Sequence, residues 1–339
     1  MKKLFLILSL FLVFTAINQI EARDHYVAIT ASNDPSANAL LILNSEGKLL
    51  KTLPTQGAGG VSGNAGGITT YDNLIAVVNF NSSSVSIFKY RHCRFVLTQV
   101  IPTLSNPVSV VFGYDHLYVL GTTLVESHPM DSDGHVSRTP DGVATLLVGD
   151  GSAAQVQVLD GQLLITEKSS MVEVAVLSHG ILTGTIAPIA LPFPPNFEPF
   201  GTAVRNKLGY ISIANLNGVA VVKDDEFKSA SFSLTQHSPC WLAITGHWLF
   251  SSNSPSHSVT RYKLEGKFAV LDKEIVAQTQ GTPIDIASGG NIIVLIDHGT
   301  GISNVNQYQV TKHGDFALIN TTAIAAPSAN GAAVFYLID

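Results

Sequence analysis

Three residues with acid–base chemistry, Glu167, Asp297 and His298, follow predicted strands in a chain with few charges. Only 13% of the 339 residues are Asp, Glu, Lys or Arg, so three ionisable groups at comparable positions are informative. A carboxylate beside an imidazole can transfer protons during attack on a carbonyl group. We predict these three residues as candidate catalytic groups. The alternative is structural, because polar side chains at strand ends often bond to loop backbone.

A second set of polar residues is predicted to bind a ligand. Three of them are Asn residues at the ends of strands, and the other three lie in links or loops. They are Asn79, Asn215, Asn253, Glu198, His237 and Arg138. For the Asn residues the structural alternative is strong, because the Asn amide commonly hydrogen-bonds to nearby backbone.

A repeated pattern of short strands positions these residues, and it is clearest in Asn64–Tyr90. The segment predicts a strand, a tight turn, a strand ending in Asn, a Ser-rich loop and a third strand. Copies return at intervals of roughly 38–48 residues, the length of one four-stranded propeller blade. The further copies begin at Asn106, Ser152, Phe200, Ser238 and Gly281. The pattern contains no convincing amphipathic helix, so the chain is predicted to be all-β.

Two incomplete copies remain at the chain ends. The piece His25–Gly57 supplies the second, third and fourth strands of a blade, and Ser328–Asp339 supplies a first strand. Joined, they complete a seventh blade and leave no open sheet edge. The predicted fold is therefore a seven-bladed β-propeller of four-stranded blades, closed where the C-terminal strand joins the N-terminal blade.

This ring has a central channel lined by the first strands, and its loops sort into two faces. Links between second and third strands, and between successive blades, emerge on one face, which we call the top. The remaining turns lie on the bottom face. The ends of the second strands, including Glu167 and Asp297, therefore form a ring at the top. Cys93 falls in a bottom turn and Cys240 near the top, which predicts two free thiols, because a disulfide needs Cα atoms within about 7 Å.

The longest loop predicted on the top face is Thr122–Gly142, a length typical of lids and binding elements. Asp131–Gly134 begins like a calcium loop, but Gly142 stands where such a loop needs a bidentate Glu. His128 and His135 leave a transition-metal site open as an alternative to a solvated loop. We predict no metal and no cofactor.

The Gly-rich segment Gly57–Gly67 precedes a strand rather than a helix. It therefore does not match a phosphate-binding loop, which opens a helix. We interpret the segment as a flexible link between two blades.

The repeat resembles the seven-bladed lactonase-like propellers, whose second strands carry YVTN-type sequences. Here those strands read AVVN (Ala76–Asn79), LYVL (Leu117–Leu120), SIAN (Ser212–Asn215) and FSSN (Phe250–Asn253). Two blade openings, Glu198–Asn206 and Ser238–Asn253, also look like those of secreted bacterial members labelled carboxymuconate-cyclase-like. The resemblance implies the propeller fold and a lactonase or cycloisomerase site at the mouth of the channel.

The resemblance transfers no catalytic residue. The Asn-Glu pair that often follows the second strand in the family is replaced here by Asn79-Phe80, Asn215-Leu216 and Asn253-Ser254. A pair of Arg residues for a substrate phosphate or carboxylate is not evident either. Only Arg138, in its loop, is expected to reach the top face.

The N-terminal residues 1–22 match a secretory signal peptide, with Lys2 and Lys3, the apolar run Leu4–Phe14 and a cleavage site after Ala22. Residues 23–339 would then form one propeller domain that is secreted or periplasmic, with no membrane association after cleavage. The net charge of −6 with scattered charges argues against a nucleic-acid partner. A monomer is expected.

Two functions fit these observations. The first is a lactone hydrolase or cycloisomerase with its site at the top of the channel, acting through Glu167, Asp297 and His298. The second is a non-catalytic platform whose top face binds a small lactone-like ligand or a protein partner. The sequence names neither the substrate nor the partner.

Overall fold

The computed structural model describes residues 26–337, and the predicted signal peptide lies outside this range. The described residues form 28 strands in seven antiparallel sheets of four strands each. Helical structure in this range is limited to two three-residue 3-10 turns, Phe80–Ser82 and Ala214–Leu216. No helix among the described residues is long and apolar enough to cross a membrane. The predicted seven-bladed β-propeller is confirmed.

We number the strands in chain order and the blades from the N-terminus. Blade 1 comprises β1 (Tyr26–Ala31), β2 (Ala39–Asn44), β3 (Leu49–Pro54) and β28 (Asn330–Tyr336). Blade 2 comprises β4 (Ile68–Tyr71), β5 (Leu74–Asn79), β6 (Ser84–Arg91) and β7 (Arg94–Pro102). Blade 3 comprises β8 (Pro107–Gly113), β9 (His116–Gly121), β10 (Leu124–Pro129) and β11 (Gly142–Thr145). Blade 4 comprises β12 (Ala153–Leu159), β13 (Gln162–Glu167), β14 (Met171–Ser178) and β15 (Ile181–Pro188).

The last three blades repeat the same order. Blade 5 comprises β16 (Pro199–Arg205), β17 (Leu208–Ile213), β18 (Gly218–Lys223) and β19 (Glu226–Phe232). Blade 6 comprises β20 (Pro239–Thr245), β21 (Trp248–Asn253), β22 (Ser258–Glu265) and β23 (Phe268–Gln278). Blade 7 comprises β24 (Thr282–Gly289), β25 (Ile292–His298), β26 (Ser303–Val310) and β27 (Phe316–Ile324).

The ring closes as the two incomplete copies predict. Strand β28 pairs antiparallel with β1, so that Tyr26 faces Tyr336 and Thr30 faces Ala332. This sheet has the order β28-β1-β2-β3, with the C-terminal strand on the channel side. Closure therefore supplies hydrogen-bond partners to both ends of the described chain and leaves no unpaired strand at the channel.

The second strands are buried along most or all of their length, because each blade packs its two faces against its neighbours. All six residues of β5 and of β17 are buried, and both strands are runs of apolar and small residues. The outer strand β3, LLKTLP, is mostly exposed. Burial thus decreases from the second strand of a blade to its outer strand. Polar residues within second strands are therefore shielded from solvent.

The two cysteines lie where the propeller geometry predicts. Cys93 is exposed in the bottom turn between β6 and β7, and Cys240 is buried in β20 near the top. Neither forms a disulfide, which confirms the prediction of free thiols.

The predicted top-face loop Thr122–Gly142 is wrong in extent and in position. Its first part forms the third strand of blade 3, β10, and only residues 130–141 connect β10 to β11. This shorter segment leaves β10 at the bottom, where the Met130 amide donates to the Asp115 carbonyl in a bottom turn at 2.8 Å. Sequence reasoning missed β10 because Glu126 and His128 look like loop residues, although both side chains are buried.

The buried His128 holds the segment 130–141 against its blade. His128 places Nε2 3.0 Å from a Glu126 carboxylate oxygen and Nδ1 3.0 Å from the Ser137 carbonyl oxygen. Both ring nitrogens therefore face acceptors, and both contacts are hydrogen bonds when the imidazole is doubly protonated. The other Glu126 oxygen accepts the Leu104 amide at 2.6 Å. Of the two histidines that suggested a metal site, His128 is thus paired with Glu126 and with backbone, whereas His135 is exposed.

We expect His128→Leu to lower the free energy of unfolding by about 3 kcal/mol, because the variant leaves the Glu126 carboxylate buried without its partner. Urea denaturation of the purified protein measures the change. His135→Leu in the same segment is the matched control, since His135 is exposed and its loss should change stability little. Equal effects of the two substitutions would contradict the assignment of His128 as a buried anchor.

Candidate functional site

The side chain of Asn79, at the end of β5, is fully buried and bonded on all sides. Its amide donates to Ser86 Oγ at 2.8 Å, and its carbonyl oxygen accepts Thr55 Oγ1 at 2.7 Å and Asn38 Nδ2 at 3.1 Å. Thr55 belongs to the link that enters blade 2. Asn79 therefore fastens that link to the blade and has no atom left for a ligand.

Asn253, at the end of β21, is bonded in nearly the same way. Its amide donates to Ser258 Oγ at 3.0 Å and to Thr260 Oγ1 at 2.8 Å, and its oxygen accepts Ser251 Oγ at 3.2 Å. Ser258 in turn donates to Gln236 in the link entering blade 6. The equivalent positions in two blades thus serve one structural purpose.

Asp297 occupies the corresponding position in blade 7. Asn79 and Asn253 donate hydrogen bonds to the next strand of their blades, whereas Asp297 accepts hydrogen bonds from the next strand. Its two carboxylate oxygens accept the amides of Asn304 and Asn306 at 2.7 Å and 2.8 Å. The carboxylate is fully buried. It also lies against Gly281 in the preceding link, where an added Cβ would approach Asp297 Oδ1 to 2.5 Å. Asp297 is therefore packed under a link and does not face an open site.

Glu167, at the end of β13, binds the backbone of the link entering blade 4. Its two oxygens accept the amides of Val148 and Gly149 at 2.9 Å and 2.8 Å. A second buried carboxylate, Glu173, accepts the neighbouring Leu147 amide at 3.1 Å. Burial raises the pKa of Glu173 to about 7. Glu167 lies three blades away from Asp297, so the structure does not bring the predicted catalytic residues together.

His298 is the one member of the predicted catalytic trio that lines a cavity. It follows Asp297 in β25, and strand alternation directs the two side chains to opposite sides. The His298 Nε2 atom lies 2.8 Å from the Ala329 carbonyl oxygen. Because a carbonyl only accepts hydrogen bonds, Nε2 carries the proton and Nδ1 of the neutral ring is the basic nitrogen.

The cavity lies at the top of the channel between blades 5, 6, 7 and 1 and has a volume of about 540 Å³. Such a volume suits a small molecule. Phe200 and Trp241 form an aromatic wall, with ring centroids 5.3 Å apart. The buried Asn330 also lines the cavity, and its side-chain oxygen has no hydrogen-bond partner. None of the described residues that line the cavity is a Lys or an Arg.

The Gly-rich segment is not a free link but fills the upper channel. We call residues 61–67 the plug. The Asn64 side chain is fully buried and donates to the Val108 carbonyl in blade 3, and the Asn64 carbonyl accepts Trp241 Nε1 from blade 6 at 2.8 Å. The Ala65 amide donates to Ala154 in blade 4, at 3.0 Å. These contacts with three blades correct the interpretation of Gly57–Gly67 as flexible.

The remaining predicted ligand-binding residues are dispersed. Asn215 is exposed and donates to the Asn196 carbonyl at 2.9 Å, while His237 is exposed on the link entering blade 6. Glu198 is half-buried at the top near blade 5. Arg138 does not reach the channel mouth, because its side chain donates to the Val100 carbonyl on the outer strand of blade 2 at 3.0 Å. No common site unites these four residues.

Lys168 is a top-face residue that the sequence analysis missed, although it follows Glu167 directly. Its Nζ donates to the Gly63 carbonyl of the plug at 2.6 Å and lies 5.5 Å from the centre of the Phe200 ring. Burial lowers the pKa of Lys168, and the nearby Glu198 carboxylate opposes that shift. Lys168 therefore holds the plug against the rim of the cavity.

Comparison with known proteins adds the fold context. No family model and no curated protein matches this chain. A candidate 6-phosphogluconolactonase from Bacteroides fragilis matches over 93% of this chain and 99% of its own, with TM-score 0.67 and 12% identity. A second, from Bacteroides uniformis, gives TM-score 0.68 and 14% identity over 93% of this chain and 100% of its own.

A catalytically inactive virginiamycin B lyase from Staphylococcus aureus also matches, with TM-score 0.61 and 13% identity over 82% of this chain and 94% of its own. The chain has the fold of the lactonase-like propellers. Identities this low establish shared architecture only, and the lyase shows that the architecture serves more than one chemistry.

The raised pKa of Glu173 predicts a pH dependence of stability. The neutral form is favoured in the folded state, so the stabilisation is complete below the ordinary Glu pKa of 4.5 and is lost as pH rises through about 7. We expect Glu173→Gln to remove this component. Urea unfolding at pH 5 and pH 8 measures it, and the wild type should lose more stability between the two values than the variant. Identical losses would contradict the prediction.

Proposed function

We propose that this protein hydrolyses a small lactone in the top cavity, with His298 as the general base. The observation that carries the proposal is the position of His298 on the cavity wall, where the Ala329 carbonyl holds its ring in one tautomer. The lactonase-like fold supports this reaction class at a coarse level. The site contains fewer acid–base residues than the sequence suggests. Glu167 and Asp297 do not line the cavity, because their carboxylates accept hydrogen bonds from other parts of the protein.

The reaction follows from the free nitrogen of His298. Nδ1 accepts a proton from a water molecule as the water oxygen attacks the lactone carbonyl carbon. The ring C–O bond then breaks, and the departing alkoxide recovers that proton from the imidazolium. The product is the open hydroxy acid. One histidine thus acts in turn as base and acid, and no second titratable residue is required.

The neighbouring thiol does not compete with water as the nucleophile. Cys240 lines the same cavity, but burial raises its pKa to about 12. Its Sγ contacts the Ser238 carbonyl oxygen at 3.3 Å. A thiol is a weak nucleophile until it ionises, so a covalent acyl intermediate on Cys240 is not part of the proposal.

The substrate proposed for this cavity is uncharged. The cavity lining contains no Lys or Arg among the described residues, and the nearby Lys168 already donates to Gly63. A phosphorylated or carboxylated lactone would lose its hydration without gaining a cationic partner. The Phe200 and Trp241 rings instead offer an apolar surface for a lactone ring.

Secretion and the monomeric state are parts of the proposal that rest on sequence alone. The pattern of residues 1–22 is that of an export signal. We propose that the protein acts outside the cytoplasm on a lactone that it meets there, without a cofactor and without a protein partner.

We expect His298→Gln to lower kcat/KM for the best lactone of a screen by at least about 100-fold, because the amide can still donate to Ala329 but cannot accept a proton. Release of acid on ring opening reports the rate. His313→Gln on the bottom face is the matched control and should retain the wild-type rate. If the wild type binds lactones without hydrolysing them, the proposed function becomes ligand binding instead of hydrolysis. Full activity of His298→Gln would refute His298 as the general base.

Substrate charge gives a separate prediction. An uncharged lactone should be hydrolysed with kcat/KM at least about tenfold above that of the same lactone carrying a phosphate, because the cavity offers the phosphate no cation. Steady-state rates on the matched pair decide the matter. A preference for the phosphorylated substrate would contradict the proposal of an uncharged substrate. The role of His298 is tested separately by His298→Gln.

A further inference from the structure

A second cavity lies in the channel below the plug, separate from the top cavity. Its volume is about 370 Å³, and Gly66 of the plug forms its upper limit. The first strands of blades 1, 2, 4, 5, 6 and 7 supply its walls, down to Thr70 and Ser288 beside the bottom turns. The cavity therefore extends along the channel axis toward the bottom face.

The polar residues near the top of this cavity connect neighbouring blades. The Asp285 carboxylate accepts the Ala332 amide of blade 1 at 3.1 Å, and its other oxygen accepts the Ile286 amide at 2.8 Å. Gln155 does the equivalent in blade 4, where its side-chain oxygen accepts the Thr202 amide of blade 5. A neutral amide is therefore sufficient for the bond between blades, and the second Asp285 oxygen accepts only the amide of the next residue in its own strand.

Asp285 faces the cavity without any opposite charge. It is only 3% exposed, and it is the only titratable residue among the described residues that line the cavity. Burial raises its pKa to about 8, although the two amide hydrogen bonds favour the charged form. A buried carboxylate with no cation beside it is costly, so a cation that enters the cavity gains a strong partner.

A second buried group in this cavity also lacks a partner. Thr202 is 1% exposed and lines the cavity, and its Oγ1 makes no hydrogen bond. Buried hydroxyl groups are usually bonded, so Thr202 Oγ1 is an acceptor that a donor on a ligand would satisfy. Leu242 and Val334, also in the lining, supply apolar surface between the polar groups.

We propose that the channel below the plug binds a small ligand that carries a primary ammonium group. The ammonium pairs with the Asp285 carboxylate, a further donor of the same ligand bonds to Thr202 Oγ1, and an alkyl segment contacts the apolar wall. A divalent metal fits less well, since Ca²⁺ takes six to eight oxygen ligands and one carboxylate supplies at most two of them. The site is independent of lactone hydrolysis.

Calorimetric titration with 1,4-diaminobutane and with 1,4-butanediol tests the proposal, because the two probes differ in charge but little in size. We expect the diamine to bind and the diol to bind at least tenfold more weakly. Asp285→Asn keeps the acceptor for Ala332 and removes the charge, so it should weaken diamine binding at least tenfold. Asp72→Asn, in an exposed bottom turn, is the matched control and should bind as the wild type does.

The pH dependence provides a further readout. Diamine affinity in the wild type should rise about tenfold from pH 6 to pH 7 and about fivefold from pH 7 to pH 8, because Asp285 must lose its proton to pair with the ligand. Asp285→Asn should show no such rise. If Asp285→Asn fails to fold, Thr202→Val and the diamine–diol comparison carry the test, with a loss of about threefold or more expected for Thr202→Val.

Three outcomes would overturn the proposal. Equal binding of diamine and diol would exclude recognition of charge, and unchanged affinity in Asp285→Asn would place the ligand elsewhere. Stronger Asp285-dependent binding of MgCl₂ or CaCl₂ than of the diamine would assign the site to a metal ion instead of an ammonium group.

Discussion

The propeller depends on hydrogen bonds that fasten the links between blades to buried polar side chains. Each link crosses the top face with unpaired backbone amides and carbonyls, and the blades offer no further sheet edge to satisfy them. Glu167 meets this need directly by accepting two backbone amides of its link. Asn79 holds its link through the Thr55 side chain, and Asn253 holds its link through Ser258, which donates to Gln236. Because these positions are fully buried, each polar group must be bonded, and that requirement fixes its partners.

This constraint explains why the chemistry is located where it is. The two carboxylates that looked catalytic, Glu167 and Asp297, are buried, and both oxygens of each accept hydrogen bonds from the protein. His298 differs because its ring bonds to the link through one nitrogen only. A polar residue at a strand end is therefore available for chemistry when only one of its polar atoms is hydrogen-bonded within the protein. This depends on the contacts of the side chain and not on the residue type.

The sequence predicts the fold well because its evidence is repeated. Six complete copies of one strand pattern and two incomplete copies at the chain ends leave a closed ring of seven blades as the simplest solution, and the pairing of β28 with β1 agrees. The strands of blade 3 were less accessible to this reasoning. Glu126 and His128 lie in β10, where their mutual pairing makes burial possible, and no single-residue preference reveals such a pair.

The site was harder to predict for a physical reason. Whether a polar side chain faces a ligand or a neighbouring backbone depends on which blade lies opposite, and contacts such as that of Asp285 with Ala332 join residues 47 positions apart. The plug shows the same limit. Its glycines suggest freedom, but the fixed partners of Asn64 come from blades that the local sequence does not specify.

The plug also determines whether the central channel connects the two faces of the propeller. A ring with an open axis would let a solute pass from one side to the other, whereas residues 61–67 lie between two cavities along this axis. Top-face links line one cavity and the other reaches residues beside the bottom turns, so the two can be occupied at the same time. Any communication between their occupants would have to pass through the short stretch of backbone that forms the floor of one and the ceiling of the other.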